Sequence, residues 1–201
     1  METFKEYVLG GSVGMQRPVA DFNEVQITLD DLAFLQYTGA TTGLSKGSML
    51  SHGNVTANIE QLQSMLNDVV EEGSEIWINA LPMYHIYSLV VLVFSGYDAG
   101  GLNVLVTNPR DTKGFVNELK KWPFTFFNGV NTLYESLLNH PDIVNVDFST
   151  MKLSGTGGSA CRQSTAERWQ ELTGKVLLEG YGLSETSPSV TVSPNYLTEF
   201  N

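Results

Sequence analysis

Cysteine is almost missing: Cys161 is the only one in 201 residues, so no internal disulfide can form and no cysteine cluster can hold a metal. The lone thiol reads as helical packing rather than chemistry. Histidine is scarce as well, and His52, His85 and His140 lack ligand-like spacing. Positive charge is short: 11 Lys and Arg face 22 Asp and Glu, for a net −11. That balance argues against a nucleic-acid partner, whose binding rests on neutralising many phosphates. A small anion needs only a few local donors and stays open. No long hydrophobic run exists either. Ser88–Phe94 (SLVVLVF) is the most apolar stretch, far below the roughly 20 residues that span a bilayer. The start, METFKEYVLGGSVG, lacks the sustained apolar run of a secretion signal. A cytoplasmic protein is expected, with peripheral association at the inner face of the membrane left open. Oligomeric state is not legible.

What is present indicates a globular α/β chain, with 42% hydrophobic and 16% charged residues. Residues 1–30 are irregular, broken by Gly10, Gly11, Gly14 and Pro18. From Asp31 a pattern sets in. LAFLQYT (32–38) reads as a buried strand, 47–51 as a second strand returning from a loop, and Val55, Ile59, Leu62 and Leu66 as one helix face capped by Asn54. Strands are then predicted at 76–81, 102–107, 124–130, 151–155 and 176–181. Helices are predicted between them at 84–97, 111–121, 132–139 and 163–172. Continuous apolar strands alternating with helices indicate a mostly parallel sheet covered on both faces. Without repeat or linker, residues 31–201 read as one domain. Ligands in such sheets sit at the carboxyl ends of the strands, where the glycine-rich loops fall.

The first of these loops, YTGATTGLSKGS (37–48), offers the hydroxyls of Thr38, Thr41 and Thr42 and flexible backbone at Gly39, Gly43 and Gly47. It also carries Lys46, the only Lys or Arg between Arg17 and Arg110. Glycine turns present N–H groups that cradle anions, and a lysine adds a point charge. The GxxxxGK[ST] pattern is not met, because Ser45 precedes Lys46 and Gly47 follows it. A plain hairpin with a solvated lysine is the bland reading, outweighed here by the number of phosphate-suited groups. SGTGGSA (154–160), with Gly157, Gly158 and Ser159, is weak evidence alone. EGYGLSETSPS (179–189) adds the ring of Tyr181, flexible backbone at Gly182, the hydroxyl of Ser184 and the carboxylate of Glu185, a group of the kind that holds Mg²⁺ on nucleotide phosphates. Taken singly, Glu185 reads as a solvated loop residue. His85, in LPMYHIYSL (81–89), reads as structural or as a gate to an apolar pocket.

Together and in this order, these segments resemble the AMP-forming acyl-activating superfamily. LPMYHIYSL, TNPRDTKGFVNELKKWPFTFFNGVNTLYESLLN and LLEGYGLSETSP are similar to bacterial long-chain fatty acid–CoA ligases. The resemblance implies that Thr38, Thr41, Thr42 and Lys46 hold the β- and γ-phosphates of ATP. By the same resemblance SGTGGSA lines the adenine and Tyr181 stacks on it. Ser184 approaches the α-phosphate, Glu185 coordinates Mg²⁺, and His85 lies near the acyl carboxylate and the passage for CoA. Gly129 and Val130 become candidates for the acyl-pocket wall. The implied reaction adenylates a fatty acid with MgATP and passes the acyl group to CoA.

Three departures from the pattern stand out. Ala40 occupies a position that is nearly always Gly in the family, Ser45 one that is often Pro, and Ser184 one that is generally Thr. The family's ribose-binding Asp and its small C-terminal domain with a catalytic Lys would follow Asn201, and a large N-terminal portion would precede Met1. The chain is therefore expected to be an internal piece with little or no ligase activity alone. Two alternatives stand beside this reading. One is an acyl-AMP ligase that feeds a carrier protein, separable by exchanging CoA for that carrier. The other is a noncatalytic nucleotide-binding remnant.

Overall fold

The computed structural model describes residues 26–38 and 45–200. Loop residues Gly39, Ala40, Thr41, Thr42 and Gly43 lie outside these, as does most of the irregular lead segment.

β1 (Leu32–Tyr37) and β2 (Gly47–Ser51) pair antiparallel as a two-stranded ribbon. β1 is not the buried strand expected: Leu35 and Tyr37 are exposed, and Phe34 packs inward against Leu50, Val55, Ile86 and Val90. Its run of apolar residues conceals an alternation, because the ribbon has only one covered face. α1 (His52–Leu66) follows. Its cap is Ser51 rather than Asn54. The Ser51 side chain accepts from the Asn54 N–H, and the Asn54 side chain accepts from the Ser51 N–H. Each thus satisfies an orphan donor of the helix start.

The main sheet has the order β4-β3-β5-β6-β7-β8. It comprises β3 (Ile76–Asn79), β4 (Leu102–Leu105), β5 (Phe126–Gly129), β6 (Leu153–Thr156), β7 (Leu177–Gly182) and β8 (Ser189–Val192). β3 to β7 run parallel, as the alternation of elements predicts. β8, which sequence patterning missed in SPSVTVSP, returns antiparallel on β7.

One face is covered by α3 (Thr112–Leu119), α4 (Asn131–Leu138) and α5 (Gln163–Thr173). The core between them and the sheet is aromatic: Phe115, Phe124, Phe127, Tyr134 and Trp169 are all buried. Edge contacts at 4.7 Å for Tyr134–Trp169 and 5.3 Å for Phe127–Tyr134 add directional preference to area burial. The two polar tips find partners, Trp169 Nε1 donating to Ser154 Oγ at 2.9 Å and the Tyr134 hydroxyl to the Gly155 carbonyl at 2.7 Å.

The other face carries α1 and α2, a π-helical stretch Tyr87–Phe94 continuing into a single α-turn Ser95–Asp98. The helix predicted at 84–97 therefore starts later, leaving Tyr84 and His85 in the turn before it. Cys161 also differs from expectation, lying in the β6–α5 turn and not in a helix, with its N–H bonded to Glu179 Oε1 at 3.1 Å.

At the amino ends of the strands, Glu75 is buried. Its Oε1 accepts from Lys152 Nζ and from the Glu71 N–H, each at 2.7 Å. Burial pushes this carboxyl up, but the bonds from Lys152 and Glu71 outweigh it and hold it below the usual carboxylate range. Lys152→Met strands a buried charge and is expected to cost about 3 kcal/mol, read by urea unfolding. A depressed carboxyl stabilises above its unfolded pKa, and this contribution disappears as pH falls through the folded one. The gap between the two proteins should therefore close in acid. A gap that persists there would assign the loss to packing.

Candidate functional site

Between the sheet and the α1–α2 layer lies a cavity of about 650 Å³, open at the carboxyl ends of β6 and β7. Side-chain alternation explains it. Trp77 and Asn79 of β3, Phe126 and Asn128 of β5, Leu153 and Gly155 of β6, and Leu178 and Gly180 of β7 share this face, while Ile78, Phe127, Ser154 and Leu177 face the aromatic core.

The mouth collects most of the residues singled out from sequence. Thr38 and Lys46 both line it and form the feet of the 39–44 loop, the Thr38 N–H donating to the Lys46 carbonyl at 3.1 Å. Ser45 Oγ closes the same base by donating to the Thr38 carbonyl at 2.8 Å. His85 enters from the turn before α2. Its Nδ1 accepts from the Tyr87 N–H at 3.2 Å, which holds the ring over the mouth. Gln36 Nε2 anchors that turn to the ribbon by donating to the Tyr84 carbonyl at 2.9 Å.

Gly157, Gly158, Tyr181, Gly182, Ser184 and Glu185 complete the rim. At Gly157 a methyl group would come within 3.1 Å of the Gly180 carbonyl and 3.2 Å of the Tyr87 ring, so a larger residue would push the strand end and the helix a few tenths of an ångström apart. The loop carrying Ser184 and Glu185 is tied within itself. The Leu183 N–H donates to the Pro188 carbonyl at 3.0 Å, and Thr186 Oγ1 accepts from that N–H at 3.1 Å. Tyr181 is 59% exposed, leaving a ring face free to stack on a flat ligand.

Four of the sequence candidates fall elsewhere. Gly47 packs beneath the Tyr37 ring, and Ser159 is exposed beyond the rim. Gly129 faces the opposite layer, where a Cβ would meet Tyr134 and Leu133. Val130 is the N-cap of α4 and packs against the aromatic core, its Cγ1 3.9 Å from where a Cβ on Gly158 would sit. For Gly129 the alternation is the reason: Asn128 takes the cavity side, so its neighbour takes the core.

The inner half of the cavity was not foreseen. Leu62, Met65 and Leu66 of α1, with Val91, Phe126 and Leu178, make an apolar chamber floored by Trp77. Trp77 stacks on Phe126 at 4.2 Å and 9°. A signal existed: IWIN and FTFFN each place an Asn two residues after an aromatic, on one face of an apolar strand. Halfway in, the Tyr87 hydroxyl lies 3.5 Å from Asn128 Oδ1, and burial pushes that phenol above its ordinary range.

Lys46 is the cationic end of the site. Glu185 is the one carboxylate lining it among the described residues, and no cluster of three His, Cys, Asp or Glu ligands occurs among them. That donor set fits Mg²⁺ bound mainly through a nucleotide, since the ion commonly takes one or two carboxylates plus substrate phosphates and water. It does not fit a dedicated all-protein metal cage.

A family model described as AMP-binding enzyme matches residues 5–200. The long-chain-fatty-acid–CoA ligase of Escherichia coli O6:H1 is 49% identical over 169 residues, covering 84% of this chain and 30% of that protein. The Haemophilus influenzae ligase of the same name is 44% identical over 201 residues, covering 99% and 35%. Among solved structures, ATP-bound MatB from Rhodopseudomonas palustris superposes with a TM-score of 0.73 at 31% identity, covering 86% of this chain and 33% of that one. The chain spans about a third of the length of the curated relatives it matches. With phosphate-suited, aromatic and carboxylate groups gathered at one mouth and a family model matched across nearly its whole length, this chain belongs to the AMP-binding enzyme family.

Proposed function

We propose that this chain forms the nucleotide- and acyl-binding part of a fatty acid–CoA ligase, with residues 31–201 belonging to that enzyme's larger domain. The supporting observation is a two-ended cavity, polar and phosphate-suited at its mouth and apolar within. The fatty carboxylate attacks the α-phosphorus of ATP, the bond to the β-phosphate breaks, and pyrophosphate leaves. The CoA sulfur then attacks the acyl carbon, its proton is lost, and AMP departs. Lys46 and Thr38, with Thr41 and Thr42, hold the outer phosphates. Tyr181 stacks on the adenine above Gly157 and Gly158. Ser184 donates to the α-phosphate, and His85 orients the carboxylate. Glu185 would hold Mg²⁺, which when bound neutralises charge on the phosphate oxygens. Aligning the reactants in a partly enclosed site is the main catalytic contribution of such a scaffold.

A location in the cytoplasm, with peripheral contact at the membrane's inner face, belongs to the same proposal. No helix among the described residues is long and apolar enough to cross a membrane. Titration with MgATP tests the reading. Saturable binding that weakens about tenfold or more in Lys46→Ala is expected, since a charge-assisted contact to an anion is worth about 1.5–3 kcal/mol. No saturable binding, or equal binding by both proteins, overturns it. Fatty-acid-dependent ATP–pyrophosphate exchange by the 201-residue chain is expected to be weak or nil.

A further inference from the structure

Asn58 lies inside α1 and is 4% exposed, yet its partner is far away in sequence. Its Oδ1 accepts from the Ser189 N–H at 3.0 Å and its Nδ2 donates to the Ser189 carbonyl at 3.0 Å, across 131 positions. Nδ2 also donates to Gln61 Oε1 at 3.1 Å. The carboxamide thus binds one backbone residue from both sides, as a neighbouring strand would. What it joins matters more than the bonds themselves. α1 follows directly on the ribbon whose feet are Thr38 and Lys46, and Ser189 ends the loop that bears Ser184 and Glu185. One buried amide therefore ties the helix that follows the ribbon to the end of the Glu185 loop.

We infer that Asn58 is a positioning residue for nucleoside triphosphate: it sets the separation between the lysine-bearing hairpin and the carboxylate-bearing loop. The inference rests on the nucleotide reading above. The chemistry requires Asn at this point. Asp would set a second acceptor against the Ser189 carbonyl, and Leu would take both partners from the half-buried Ser189 N–H and C=O. Either change frees the two loops to drift, and a misplacement of about 1 Å can cost a site roughly 100-fold. In the binding mode proposed above, a triphosphate extends from the Glu185 loop to Lys46 and reads that separation. In that mode AMP, with its single phosphate, stops short of the hairpin.

Calorimetric titration of the 201-residue chain with MgATP and with AMP separates positioning from general loosening. Asn58→Asp and Asn58→Leu are expected to weaken MgATP at least tenfold and AMP less than threefold. Gln61→Ala, which removes only the third bond, should leave both affinities unchanged. Thermal melts identify a variant that does not fold, and the other variant then carries the comparison. Equal loss for the two ligands, or no loss for either, overturns the positioning role while leaving the nucleotide site standing. Failure of the unaltered protein to bind either ligand overturns both.

Discussion

On the acyl-binding role proposed above, Trp77→Ala is expected to lengthen the acyl chain that the site prefers. Trp77, Phe126 and Leu153 are register neighbours on three adjacent strands, so they stand in one row across the cavity floor. Two residues nearer the mouth, the row is Asn79, Asn128 and Gly155. From Gly157 at the rim to Leu153 on the floor is four residues, or roughly 13 Å at about 3.3 Å per residue. An extended carbon chain advances about 1.1–1.2 Å per bond, judged from the reach of an extended backbone, so the floor lies some 11 or 12 bonds in. Removing the indole opens space beyond that depth. Each newly buried methylene is worth about 0.8 kcal/mol, so two of them should improve the affinity of a longer acid roughly 15-fold. The Trp77 Nε1–H has no hydrogen-bond partner among the described residues, so its loss strands no acceptor there. Stability is expected to fall by about 3 kcal/mol or more, since the ring is 2% exposed and stacked on Phe126. Calorimetry across saturated acids of increasing length, on both proteins, checks the shift. An unchanged length preference would place the limit elsewhere in the chamber.

Glu185→Gln is expected to abolish the benefit that Mg²⁺ brings to ATP binding. Gln keeps the size and one acceptor of Glu185 but removes the only negative charge lining the cavity among the described residues. With Mg²⁺ present, affinity for ATP should drop at least tenfold, about 1.4 kcal/mol or more, because a hard cation loses its anionic protein ligand. In EDTA the sign reverses. A carboxylate beside a bare triphosphate is repulsive, so the Gln variant should bind free ATP as well as the unaltered protein or slightly better. The two titration series together are decisive, since a merely structural Glu185 would lower both affinities alike.

Much of this site is readable from local sequence, because its chemistry sits in loops after strands. Lys46 stands out as the single cation between Arg17 and Arg110, and Tyr181, Ser184 and Glu185 fall in one short segment. Gly129 shows the limit. Which face a residue takes depends on the parity of its strand, and FTFFNGV is apolar enough on both faces to hide it. The structure resolves that parity through neighbours: Phe127 packs on Tyr134 and Trp169, which turns Asn128 to the cavity and Gly129 away. β8 was missed for a similar reason. A four-residue strand closed in by Pro188 and Pro194 carries little periodic signal, and its strand state comes from pairing with β7.

Sequence alone determined the order of the elements as far as β7, the α/β class and the loops that carry the groups proposed to bind phosphate and metal. Each of these follows from hydrophobic period, glycine placement or charge within a short window. Only the tertiary structure decided the apolar chamber, the Trp77–Phe126–Leu153 floor and the Asn58 clamp on Ser189. Those depend on strand register and on a contact across 131 positions. A buried amide shows what it binds only once the chain has brought its partner alongside.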